Sequence, residues 1–185
     1  IVRPTNGFGP RSLPWVDLVC EALSKGQPTL IDGGRLDAAL IYVDNLVDLF
    51  VLVAEEPATI GRSYNASDDA GITWLRYFTE LAEIIGAPKP KSIPKAVAAV
   101  AARGMERAHG LFAPDKRPLI TREALNLVGS HHRVPIGRAQ RDLAFEPRVP
   151  YVEAMRAVAA YLRDGTDSVV SGGGSGPALA VEDRA

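Results

Sequence analysis

The apolar positions along the chain follow two rhythms. A period near 3.6 residues marks helices, and short apolar or alternating runs mark strands. Val16, Val19, Cys20 and Leu23 recur at helical spacing behind Pro14, which suits a first helical position, and Gly26 closes that segment. Leu46, Leu49, Phe50 and Val53 form a second stripe, with Asp44 placed as its N-cap. Thr73 caps a third helix whose Trp74, Phe78, Leu81 and Ile85 share one face, and Gly86 with Pro88 ends it. Further helices are predicted from Pro94 to about Ala108, Thr121 to about Val128, Ile136 to Leu143 and Pro150 to Leu162. The last is expected to bury Val152, Met155, Ala159 and Leu162.

Short strands are predicted at Ile1 to Arg3, Thr29 to Ile31, Ala39 to Val43 and Ser63 to Ala66. Thr5 to Pro10, with two glycines and a proline, is expected to be a loop, and Asp32-Gly33-Gly34 a turn. Strands alternating with helices, followed by helices alone, predict an α/β fold: part of a parallel sheet plus a mostly helical lobe. Ser171 to Pro177 is rich in glycine and serine and lacks apolar residues, so a flexible tail is expected over 165–185. The chain opens inside what reads as a strand, at Ile1, which suggests a fragment or a processed chain.

Composition narrows the function classes. Hydrophobic residues make up 46% and charged residues 23%, the mixture of a folded domain rather than of a disordered segment. A formal net charge of −1 argues against a nucleic-acid partner, which calls for a basic excess. No apolar run is long enough for a membrane span, and no signal-peptide pattern opens the chain. Cys20 is the single cysteine, so no intrachain disulfide can form; this fits a reducing compartment, and a cytoplasmic location is expected.

Four segments in order carry a family resemblance: Ile1-Val-Arg-Pro-Thr-Asn-Gly-Phe-Gly-Pro10, Ile41-Tyr-Val-Asp-Asn-Leu-Val-Asp48, Ser63-Tyr-Asn-Ala-Ser-Asp68, and Arg117-Pro-Leu-Ile-Thr-Arg122 with Ala139-Gln-Arg-Asp-Leu-Ala-Phe-Glu-Pro147. Over residues 1–163 the chain resembles the C-terminal portion of the extended short-chain dehydrogenase/reductase family. Within it, the nearest branches are the 3β-hydroxysteroid dehydrogenases and the NAD-dependent epimerase/dehydratases. Ala144 stands where that family usually has glycine. The resemblance implies the C-terminal part of a Rossmann-type parallel sheet over 1–86, with insertions from the substrate lobe, and a helical substrate-binding lobe over 87–164. It implies NAD or NADP as cofactor and a small-molecule alcohol or ketone as substrate, with a nucleotide sugar, or a non-catalytic dinucleotide-binding role, as alternatives. Dimers are common in the family.

By the resemblance, Pro4 and Thr5 lie beside the nicotinamide and Asn6 looks toward the substrate. The residues alone allow an ordinary turn in which Asn6 tolerates unusual backbone angles. Arg35, after Asp32-Gly33-Gly34, is a candidate for holding a substrate diphosphate or else an exposed turn arginine. Asp44 and Asn45 are assigned a structural role, and Asp68 and Asp69 support of the following helix N-terminus. His131 and His132 lack a third ligand at metal spacing, so no metal is expected; His109 has no assigned role, and Cys20 belongs to the core. Two parts of the family's chemistry are absent from these 185 residues. No Gly-x-x-Gly-x-x-Gly turn follows a strand, and none of Tyr42, Tyr64, Tyr77, Tyr151 and Tyr161 has lysine four residues on. No catalytic residue is therefore expected within the chain.

Overall fold

The computed structural model describes residues 1–98, 100, 127–129 and 134–171. Arg117 to Arg122, the three histidines and residues 172–185 lie outside the described residues, as do most of the helices expected from Pro94 and from Thr121.

The chain opens with β1 (Val2–Pro4) and β2 (Asn6–Phe8), then a wide helical turn over Leu13–Asp17 that leads into α1 (Leu18–Ser24). It continues through β3 (Pro28–Ile31), β4 (Leu40–Tyr42), α2 (Val43–Glu55), β5 (Tyr64–Ala66), α3 (Trp74–Ile84) and β6 (Lys91–Ile93). Two further helices, α4 (Gly137–Leu143) and α5 (Tyr151–Ser171), complete the described chain. The strands pair in parallel as β1 with β5, β2 with β4, and β3 with β6. Each pair is joined by a crossover that carries helix, as parallel pairing requires. The expected α/β class with a parallel arrangement is the one observed.

β4 shows why the fold holds two cores. Successive strand residues point to opposite faces. Leu40 and Tyr42 join a core with Phe8, Val16, Leu23, Leu30, Tyr77 and Leu81, while Ile41 joins another with Leu49, Tyr64, Ala66, Ala139 and Phe145. Helix α5 docks on the first core through Tyr151, Ala154, Met155 and Val158.

Several expectations are corrected. Asn6–Phe8 is a strand, not loop: its ladder partner, Leu40–Tyr42, lies more than thirty residues away, so local turn chemistry could not reveal the pairing. β6 was not anticipated, because Lys91-Ser92-Ile93 is half exposed and polar and becomes a strand only against β3. Tyr42, not Asp44, occupies the N-cap position of α2 and makes no side-chain cap bond; Asp44 sits in the first turn. Phe50 is 47% exposed, so the buried stripe of α2 is Leu49 flanked by Leu46 and Val53. On α5, Met155 is buried as expected, but Val152 is 53% exposed and Tyr151, Ala154 and Val158 are the other buried residues. The same helix continues past Leu162 to Ser171, across the first residues of the span 165–185 expected to be a flexible tail. Thr73 does cap α3, accepting from the Arg76 amide at 3.2 Å.

Candidate functional site

In open parallel α/β sheets, ligands bind beyond the carboxyl ends of the strands. Here Pro4, Thr5 and Asn6 form the step by which the chain leaves β1 and enters β2, moving from partner β5 to partner β4. Pro4 is exposed, and Thr5 and Asn6 are half-buried. The Thr5 backbone N–H and its hydroxyl both donate to the Ala66 carbonyl, at 2.9 and 3.0 Å. The Asn6 backbone N–H donates to the Ala39 carbonyl at 3.0 Å, and its side-chain Nδ2 to the Ala38 carbonyl at 2.7 Å. The Asn6 side chain thus ties β2 to the entry of β4, while its Oδ1 accepts no hydrogen bond from any described residue.

That entry is strained. Ala39 has a left-handed backbone, φ 44°, uncommon for a residue with a side chain. The Asp37 carboxylate holds it there by accepting from the Ala39 N–H at 2.7 Å. Asp37, Ala38 and Ala39 therefore belong to the site, although their sequence carries no motif. Their importance rests on a long-range pairing to Asn6.

A buried polar clasp lies alongside. Asp68 Oδ2 accepts from the Tyr42 N–H and Oδ1 from Asn45 Nδ2, both at 2.9 Å. Asn45, with no exposed surface, also donates to the Val149 carbonyl at 3.0 Å and accepts from the Val149 N–H at 2.9 Å. The clasp joins the ends of β4 and β5 to the segment before α5. Burial raises the Asp68 pKa above its ordinary 3.8, while the bonds from Asn45 and the Tyr42 amide oppose the rise. The expectation for Asp68 is corrected: its carboxylate meets the start of α2, not the N-terminus of α3 that follows it. The structural role expected of Asn45 is the one observed.

Arg35 ends the turn over Asp32–Gly34, is exposed, and makes no hydrogen bond or ion pair with another described residue. The turn itself is fixed: Gly33 N–H donates to Ser92 Oγ at 2.8 Å and Asp32 Oδ1 accepts from the Lys95 N–H at 2.9 Å. Gly34, φ 65°, cannot carry a side chain, since a Cβ would meet Leu30 Cδ2 at 2.6 Å. No hydrogen bond joins Arg35 to Pro4, Thr5 or Asn6. Cys20 is buried in the first core, where desolvation chiefly, with the nearby Asp17 charge, pushes its pKa to about 11. Among the described residues no group of three histidine, cysteine or carboxylate side chains could hold a metal, and no helix is long and apolar enough to cross a membrane.

In this parallel α/β architecture and in its four ordered segments, the chain is similar to the extended short-chain dehydrogenases/reductases. Among its relatives is short-chain dehydrogenase/reductase family 42E member 1 of Xenopus laevis, 27% identical over 80% of this chain and 40% of that protein. Another is the human sterol-4-alpha-carboxylate 3-dehydrogenase (decarboxylating), 25% identical over 83% of this chain and 43% of that protein. In fold the chain is similar to UDP-glucuronic acid 4-epimerase from Bacillus cereus, solved with UDP-glucuronic acid and NAD. The TM-score is 0.56 at 18% identity, over 89% of this chain and 45% of that one. No family model matches the chain. The chain spans about half the length, or less, of the curated relatives it matches.

Proposed function

We propose that this chain forms the substrate side of an NAD(P)-dependent oxidoreductase acting on a secondary alcohol or the corresponding ketone. The observation that carries the proposal is the Pro4–Thr5–Asn6 step. It lies at the carboxyl end of the β1–β5 pair, where the chain enters β2, and it is fixed by bonds from Thr5 to Ala66 and from Asn6 to Ala38 and Ala39. A pinned wall with a polar atom, Asn6 Oδ1, that accepts from no described residue suits a ligand that must be oriented rather than merely enclosed. Pro4 and Thr5 would flank the nicotinamide, which supplies or accepts hydride, and Asn6 would accept from the substrate hydroxyl. Residues 87–164 would line the substrate side as a helical lobe. The proton donor, a tyrosine with lysine four residues on, would come from outside these 185 residues. The kinship to the human sterol dehydrogenase supports an alcohol of apolar character.

A nucleotide-sugar epimerase or dehydratase is a second reading, favoured by the exposed Arg35, which pairs with no other described residue. Its guanidinium is free to grip a diphosphate through two parallel hydrogen bonds.

The test is expression of the polypeptide translated from the whole coding sequence, assayed for nicotinamide reduction with secondary alcohols and with UDP-sugars. The expected result is turnover of an alcohol, with Asn6→Ala raising the substrate KM about tenfold, the worth of one hydrogen bond of about 1.4 kcal/mol. Melting of the variant separates this from loss of the Ala38 tie. Full activity in a stably folded Asn6→Ala variant would overturn the assignment of Asn6. Turnover confined to UDP-sugars and abolished by Arg35→Ala would replace the first reading with the second.

A further inference from the structure

The face of the β1–β5 pair that carries Arg3 and Asn65 bears a second feature. Val2, Tyr64 and Ala66 face the second core, so the intervening Arg3 and Asn65, which sit opposite each other in the ladder, face the other way. Asn65 Nδ2 donates to the Pro135 carbonyl at 3.1 Å, and Arg138 Nη1 donates to the Ser63 carbonyl at 3.2 Å. These bonds fix the start of α4 against the edge of β5. The result is a cleft of about 380 Å³ lined by Arg3, Arg138 and Arg141 together with Ser63 and Asn65. The volume lies near the lower end of small-ligand sites, roughly 300–1,000 Å³.

Among the described residues, no carboxylate pairs with the charge in this cleft. Arg3, Arg138 and Arg141 form no ion pair with any described residue. Asp142 follows Arg141 directly, but its Oδ2 is taken by Arg62 Nη1 at 3.0 Å and by the Tyr64 hydroxyl at 3.2 Å. Three guanidinium groups drawn around one cleft repel one another, on a chain whose net charge is −1. Neutral donors, Ser63 and Asn65, stand beside them. Planar guanidinium forks match phosphate oxygens in pairs.

We infer that the Arg3–Arg138–Arg141 cleft is an anion site for the phosphate or diphosphate group of a small molecule. It is independent of the oxidoreductase reading. Binding there would clamp α4 to β1 and β5.

Calorimetric titration of the full chain with inorganic pyrophosphate and, separately, with adenosine diphosphate tests the site. The expected result is saturable binding of one ligand per chain, weakening as salt is raised. Arg141→Gln alone and Arg138→Gln with Arg141→Gln should each lower affinity at least about tenfold, the loss of one charge-assisted bond. Arg76→Gln, which alters an arginine paired with Glu80 on α3, should leave affinity unchanged. Equal affinity for the two ligands identifies the phosphate group as the ligand, and tighter binding of adenosine diphosphate identifies a nucleotide. Failure of both ligands to bind, or wild-type affinity in a folded Arg141→Gln variant, overturns the inference. Arg141 is exposed and bonded to no described residue, so that variant is expected to fold.

Discussion

At the scale of single residues, the strained positions are the most informative. Ala144 closes α4 in the left-handed conformation, φ 48°, and hands the chain to the fully buried Phe145. The resemblance predicted glycine at this position, and the geometry gives the reason. A left-handed residue with a Cβ costs about 1–2 kcal/mol, partly offset by the greater freedom glycine loses on folding. Ala144→Gly is therefore expected to stabilise the chain by about 1 kcal/mol, read as a higher urea midpoint with unchanged slope. Asp68 gives a prediction in pH. Its pKa is raised on folding, so the native state holds the proton more tightly than the unfolded chain does. Its contribution is most favourable below the ordinary carboxylate range and is lost as pH rises toward the native pKa. Asp68→Asn abolishes that titration. The stability difference between wild type and Asp68→Asn should drift in favour of the variant as pH rises across this window. A constant difference from acid to neutral pH would show that Asp68 is not perturbed.

At the scale of elements, legibility follows the distance over which a signal acts. α3 was readable because Thr73, its apolar face and Gly86 are all local, and the structure keeps each of them. β2 was not, because Asn6–Phe8 gains its strand character from Leu40–Tyr42 and from nothing in its own sequence. β6 failed for the same reason. The expected face of α5 is met in part: Met155 is buried and Leu162 packs on the core, but α5 sits on α3 so that Tyr151, Ala154 and Val158 turn inward and Val152 does not. Periodicity gives the existence of a stripe, and tertiary docking selects which edge of it is covered. Substitution separates the two. Val158→Ala should cost about 2 kcal/mol, for a buried branched side chain replaced by a cavity. Val152→Ala, at an exposed position, should stay within about 0.5 kcal/mol. Denaturant unfolding of both variants measures the contrast, and the reverse order would restore the face read from sequence.

At the scale of the whole molecule, the family resemblance and the α/β class are legible, since four ordered segments and a strand–helix alternation carry them. The site was legible only in part. Pro4, Thr5 and Asn6 stood out as a motif, but the groups that hold them, Ala38, Ala39 and Ala66, offer backbone carbonyls, which no residue type announces. The chemistry follows from the same accounting. Hydride transfer at an alcohol carbon needs a group that takes the hydroxyl proton, poised within hydrogen-bond reach and tuned by a neighbouring cation. Among the described tyrosines, Tyr77 donates its hydroxyl to the Trp15 carbonyl at 2.7 Å, and burial raises its pKa, the wrong direction for a base. Tyr64 is committed to Asp142, and Tyr161 donates to Asp17 at 3.1 Å and is raised as well, by burial and by that carboxylate. Tyr42 and Tyr151 are likewise raised, chiefly by burial. None of the five has lysine four residues on. The purified 185-residue chain should thus give no steady-state nicotinamide turnover with any secondary alcohol, even at high cofactor, while folding cooperatively. A clear, enzyme-proportional rate from this chain, lost on mutation of one of its own tyrosines, would place the proton-transfer group inside these residues and overturn the division of labour proposed for Pro4, Thr5 and Asn6.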